Sequence, residues 1–286
     1  MIPIVSVILY LVLGPVIGGL LAGVDRIITA RLQGRIGPPL LQPFYDFFKL
    51  LNKQVVVVNH VQDFLVGGFL IFIVFTGGLF FVGGDLLLVF FALTLAGIFF
   101  TMSACSANSP YSSMGAQREL LQLMAYEPMV LLVAIGFYVS TGSFAVSDII
   151  QSPTSSALYL PGIFIGFLYI LTIKLRKSPF DLSTSHHAHQ EMVKGLTTEL
   201  SGRILALVEI SHWYENVFLL GIVGLFIVNS TWWSWPIALL VCIITYFMEI
   251  VIDNTFPRVK WEVMLKSTWI VTLVAGVINL MVLSLI

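Results

Sequence analysis

Hydrophobic positions fall along this chain in long unbroken blocks separated by short polar connections. A bilayer core takes roughly 20 apolar residues per helix. On that measure the blocks predict spans near 2–24, 64–83, 85–104, 119–140, 161–176, 204–228, 236–253 and 264–285. The expected fold is therefore all-α: a polytopic integral membrane protein of about eight transmembrane helices, forming a single domain over 1–286. No internal repeat is visible, which counts against an inverted-repeat secondary transporter. One connection departs from a plain loop. Gly37, Pro38 and Pro39 forbid a continuous helix after the first span. Leu40 to Leu51 then sets Phe44, Phe47, Phe48 and Leu51 opposite Asp46 and Lys49. That spacing predicts a short helix along the membrane interface, serving as a surface anchor or as a platform for a peripheral subunit.

Charge sets the orientation. All 14 Lys and Arg residues sit in or beside alternate connections, from Arg26, Arg31 and Arg35 after the first block to Arg258, Lys260 and Lys266 after the seventh. This positive-inside asymmetry predicts that the loops at 25–62, 105–117 and 177–203 are cytoplasmic. The connection from Thr141 to Leu160 lacks basic residues and reads as external, as does the cluster Trp232, Trp233 and Trp235. Composition agrees: the chain is 58% apolar and 10% charged, with mean hydropathy +0.99. A net charge of −1 and the absence of a basic stripe exclude a nucleic-acid surface. Met1 to Tyr10 carries no positive charge and no small-residue cleavage site follows, so the first block reads as a retained helix. Cys105 and Cys242 lie far apart without a CxxC, too few to ligate an iron–sulfur cluster alone.

Acids inside apolar blocks are the unusual chemistry. A carboxylate at bilayer depth costs about 2.5–3.5 kcal/mol on insertion scales, so it needs partners, water or a proton. Glu119 and Glu127 lie about two turns apart in the fourth block, near Gln122 and Tyr126. Glu199, Glu209 and Glu215 follow along the sixth helical segment, with Glu191 just ahead of it. Helical spacing would put Glu191, Thr198, Glu209 and Asn216 on one face, with His212 at its edge. Glu199 and Arg203 are spaced as an i,i+4 pair. In the seventh block Thr245, Glu249 and Asp253 recur every four residues. Two readings compete. Each acid either stays wet near an interface or is neutralised by a fixed cation, or the set passes protons, poised by burial against neighbouring cations. The second reading is favoured for Glu127, Glu199 and Glu209. His186, His187 and His189 ahead of Glu191 suggest a metal site, but three imidazoles within four residues cannot all reach one ion from a regular helix. A polar loop set against another subunit fits them better.

Longer motifs carry a resemblance. ARLQGRIGPP (Ala30 to Pro39), YEP (Tyr126 to Pro128), PFDL (Pro179 to Leu182) and EMVKGLTTELSG (Glu191 to Gly202) resemble, in order, the signatures of the complex I subunit 1 family. Quinone-reducing members usually carry an acid-rich stretch after PFDL; here it is STSHHAHQ (Ser183 to Gln190). SPYSSMGAQREL (Ser109 to Leu120) and HWYE (His212 to Glu215) also look unlike them, and resemble the membrane subunit of energy-converting [NiFe] hydrogenases of the Ech or formate-hydrogenlyase kind. The resemblance implies a membrane anchor and coupling subunit in the cell membrane of a bacterium or archaeon. It implies no redox centre in this chain, with [4Fe-4S] clusters and a nickel–iron site in partners. Those partners would be hydrogenase large and small subunits, an iron–sulfur ferredoxin-like subunit and an antiporter-like membrane subunit. Proton or sodium coupling is expected to involve Glu119, Glu127, Glu191, Glu199, Glu209, His212, Glu215 and Glu249, the roles of Glu209 and Glu215 resting on helical spacing and not on the resemblance. Docking would involve Arg31, Arg35, Asp181, His186, His187 and His189. The alternative is the quinone-chamber subunit of an NADH:quinone oxidoreductase.

Overall fold

The computed structural model describes residues 2–54, 59–184 and 194–285. Among the described residues its regular elements are all helices. The long helices are α1 (Ile2–Leu32), α3 (His60–Val82), α4 (Leu86–Cys105), α5 (Pro110–Thr141), α8 (Gly202–Ile227) and α9 (Ser234–Thr255). A last segment joins α10 (Trp261–Val271) to α11 (Ile278–Leu285) through one π-helical stretch, Thr272–Val277. Among the described residues these make seven helices long and apolar enough to cross a bilayer. Shorter elements are α2 (Gln42–Leu51), α6 (Val146–Ile150) and α7 (Pro161–Lys174).

The predicted fifth span needs adjustment. α7 has 14 residues, about 21 Å at 1.5 Å per residue, against a hydrocarbon core of about 30 Å. The chain leaves helical geometry after Lys174, and residues 179–184 are buried as irregular backbone. Such backbone is tolerated at depth only inside protein or along a cavity. Its polar groups are accordingly claimed. Gln122 donates to the Phe180 carbonyl, the Ser178 N–H donates to Asp253 at 2.8 Å, and the Leu196 N–H donates to the Ser183 carbonyl at 3.2 Å.

α8 is the central post, packed on α1, α3 and α9 and crossed by α2. Small residues let the backbones close up. A Cβ at Gly18 would meet the Trp213 backbone, and one at Gly23 the Leu40 carbonyl. The predicted short helix forms: α2 sets Phe44 and Phe47 against Trp213 of α8, while Arg26 and Asp46 bridge α1 to α2 at 2.6 Å. The predicted loop at 105–117 is shorter than expected, because Pro110 begins α5. Trp232, Trp233 and Trp235 are exposed at the opposite end.

Candidate functional site

Glu119 and Gln122 reach inward from α5, and His212 and Glu215 from α8. Lys174, the last residue of α7, and Arg176, just beyond it, meet them. Arg176 Nη2 donates to Glu119 Oε1 at 2.9 Å, and its Nη1 lies 3.8 Å from Glu215 Oε2. Lys174 Nζ stands 3.7 Å from Glu215 Oε1 and 4.4 Å from the Tyr126 ring centre. Arg176 also sits over Phe100, at 5.3 Å. Two cations and two carboxylates are thus packed together with side-chain exposures of 12% or less. Arg176 adopts φ 53°, a left-handed conformation that a non-glycine residue holds only when its surroundings fix it.

His212 stands between the cluster and the space beside it. Its Nδ1 lies 3.0 Å from Arg176 Nη1 and 3.4 Å from Glu215 Oε2. Arginine only donates and a carboxylate only accepts. The protonation of that nitrogen therefore decides which contact is a hydrogen bond. The imidazole also packs edge-on against Phe69 and Phe100, so one side of it is apolar. Its other side opens into a polar cavity of about 670 Å³ between α1, α8, α9 and the connection after α7. Asp25, Lys177, Glu209 and Asp253 line the same space. Lys177 pairs with Asp25 of α1 and with Asp253 of α9, the latter at 3.4 Å. A separate apolar cavity of about 780 Å³ lies between α1, α3, α8 and α9, and Tyr246 borders both.

The expected site residues separate into groups. Glu119, Glu215 and His212 come together. Glu127 is half-buried two turns along α5 from Glu119, within electrostatic reach of Lys174. Glu209 faces the polar cavity. Glu249 is buried elsewhere, on α9 against Thr172 of α7. Glu199 does not lie on α8 and cannot pair with Arg203 as a helical i,i+4 neighbour. Gly195 and Gly202 adopt φ 62° and 52°, so a short turn separates Glu199 from a helix that starts at Gly202. The shared face expected for Glu191, Thr198, Glu209 and Asn216 breaks for the same reason; Glu191, His186, His187 and His189 lie outside the described residues. Among the described residues no three His, Cys, Asp or Glu converge as a metal site.

Two docking expectations remain. Arg31 and Arg35 are exposed near the end of α1. Asp181 is instead turned inward at 4% exposure, because Arg258 clamps both its oxygens at 2.8 and 2.9 Å. In sequence, Lys174 and Arg176 fall at the end of the predicted fifth span and Lys177 in the loop after it. The signal for their burial was the shortness of the apolar block before them.

Known proteins share this framework. Formate hydrogenlyase subunit 4 of Escherichia coli is 27% identical over 87% of this chain and 89% of its own. Hydrogenase-4 component C of the same organism is 27% identical over 88% and 87%. A subunit of the NADH-quinone oxidoreductase of Anoxybacillus flavithermus is 28% identical over 97% and 91%. A chain of the solved archaeal membrane-bound sulfane sulfur reductase superposes with a TM-score of 0.85 at 23% identity, covering 98% of this chain and all of that one, a likeness of fold. The profile of the NADH dehydrogenase family matches residues 4–284, and this chain belongs to that family.

Proposed function

We propose that this chain is the membrane anchor and coupling subunit of a ferredoxin-linked, energy-converting [NiFe] hydrogenase, joining redox chemistry in peripheral subunits to proton or sodium movement. The observation that carries the coupling role is His212 standing between Arg176 and Glu215 at the wall of a polar cavity. Protonating the imidazole adds a positive charge to a cluster whose two cations and two carboxylates otherwise balance, so neighbouring ion pairs must respond. In the proposed role, Glu209 and Glu127 would exchange protons with the cluster, with Glu199 and Glu191 on its approach. Arg31, Arg35 and the loop holding His186, His187 and His189 would face the soluble subunits on the cytoplasmic side. Iron–sulfur clusters and the nickel–iron site belong, on this reading, to hydrogenase large and small subunits and an iron–sulfur ferredoxin-like subunit. An antiporter-like membrane subunit would complete the ion path. The two hydrogenase relatives in Escherichia coli support this assignment.

Affinity purification through this chain tests the assembly, with soluble subunits carrying nickel and iron expected to come with it. In inverted vesicles, Glu209→Gln should lower coupled proton uptake on the order of tenfold or more while dye-linked hydrogen activity stays near wild type. Unchanged uptake removes Glu209 from the path. The polar and apolar cavities meeting at Tyr246 favour a second reading, a chamber for a quinone head and tail. The relatives from NADH-quinone oxidoreductases share that prospect. Nickel-free complexes whose turnover a quinone-site inhibitor blocks would establish it.

A further inference from the structure

Glu249 sits apart from the cluster above and lines neither cavity. It lies in the C-terminal half of α9, 3% exposed, and faces Thr172 of α7, itself 4% exposed. Its Oε1 accepts the Thr172 hydroxyl at 3.3 Å; its Oε2 is shut away from solvent with no hydrogen-bond partner. Among the described residues no Lys, Arg or His pairs with it, although every other acid buried to this degree has a cation: Glu119 and Glu215 have Arg176, and Asp181 has Arg258. An ionised carboxylate left with one hydroxyl donor in an apolar setting is strongly disfavoured. A hard metal cation wants about six oxygens, and one carboxyl and one hydroxyl fall far short. A bound proton satisfies the group with no further ligand.

The surroundings also supply a way in. Asp253 lies one helical turn further along α9, on the same face and about 6 Å along the axis. Asp253 pairs with Lys177, and both border the polar cavity. Tyr246, the other titratable group nearby on α9, has its hydroxyl engaged with the Leu21 carbonyl. From α7 the neighbour is Thr172, and from the connection after it Lys177.

We propose that Glu249 is a proton-binding site between α7 and α9, loaded from the polar cavity through the Lys177–Asp253 pair and independent of the Arg176 cluster. The site extends the coupling reading to a second branch, but its occupancy by a proton does not depend on which redox complex holds the chain. Infrared spectroscopy of the purified complex, titrated between about pH 5 and 9, reads it directly. Wild type should show a neutral-carboxyl carbonyl band that Glu249→Gln abolishes. Thr172→Val removes a donor that favours the ionised form, so the band should persist to higher pH by about one unit. Asp253→Asn should slow the deuterium shift of that band on transfer to heavy water on the order of tenfold. Identical spectra for wild type and Glu249→Gln would overturn the proposal, as would a band midpoint that follows sodium concentration at constant ionic strength. Unchanged deuterium exchange in Asp253→Asn overturns the loading route. Should Glu249→Gln fail to assemble, the Thr172→Val and Asp253→Asn readings retain the acid and decide the matter.

Discussion

Arg176 is the side chain whose removal should destabilise this protein most through one contact. Methionine in its place keeps the length and apolar bulk but leaves Glu119, 6% exposed, without the guanidinium that meets it at 2.9 Å. Breaking a buried pair by deleting one partner costs about 3–5 kcal/mol, whereas replacing both is often close to neutral. Glu215 adds little to that loss, because Lys174 at 3.7 Å and His212 at 3.4 Å remain beside it. The left-handed backbone at φ 53° strains methionine as much as arginine, so it cancels from the comparison. For a chain this large about 2 °C accompanies each kcal/mol, giving a drop of roughly 6–10 °C for Arg176→Met. Arg176→Met combined with Glu119→Met should recover to within about 2–4 °C of wild type by the same conversion. Size-exclusion recovery after heating in detergent measures both against wild type. A single variant as stable as wild type would mean the cluster is hydrated, and a double variant no better than the single would mean Glu119 is not the stranded charge.

Backbone contact makes a second prediction. Gly18→Ala and Gly23→Ala place a methyl against the backbones of Trp213 and Leu40, and each should cost about 1–3 kcal/mol in the same assay. Gly67→Ala, with open space around its Cβ position and a helical backbone, should be neutral or slightly stabilising; equal losses at all three would refute the packing argument. A third concerns pH. Partial burial pushes the Asp46 carboxyl up, but hydrogen bonds from Arg26 and Gln42 and the charges of Arg26 and Lys49 outweigh it and hold it below its ordinary value. A depressed carboxyl contributes stability above its unfolded value of about 4 and loses it as pH falls through the folded value. With side chains 44% and 42% exposed the pair is worth under about 1 kcal/mol. Amide protection in α2, measured against the intrinsic exchange rate at each pH, should therefore fall modestly on acidification, and Asp46→Asn should show the lowered protection already at neutral pH; pH-independent, equal protection in both would refute it.

The spans were legible because bilayer thickness imposes a length on any apolar helix, and that length shows in sequence. The α2 helix was legible because its aromatic face repeats at helical spacing. Glu199 was misplaced because helical periodicity was carried through Gly195 and Gly202, both of which adopt positive φ. The burial of Asp181 was not legible, because Arg258, contributed from 77 positions away, turns it inward. Long-range pairing of that kind leaves no local pattern. The convergence of Glu119, Lys174, Arg176 and Glu215 was hidden for the same reason, since three separate helices and one connection supply it.

The early end of α7 ties these features together. Had the helix run a full bilayer width, Lys174 and Arg176 would have emerged with the other basic residues at the membrane edge. Ending after 14 residues, it leaves both cations buried inside the protein and brings in irregular backbone whose polar groups need partners. Gln122, Asp253 and Arg258 supply them. The ionisable groups nearest the polar cavity are therefore also the groups that hold the connection in place. Truncating substitutions there remove structure and titration at once, so a loss of activity in Asp253→Ala would say nothing about protons. Isosteric amides separate the two effects: Asn at 253 keeps an acceptor for the Ser178 N–H while losing the charge that meets Lys177. A functional loss in the amide without a loss of thermal stability is the signature of a group that moves protons as well as holding the fold.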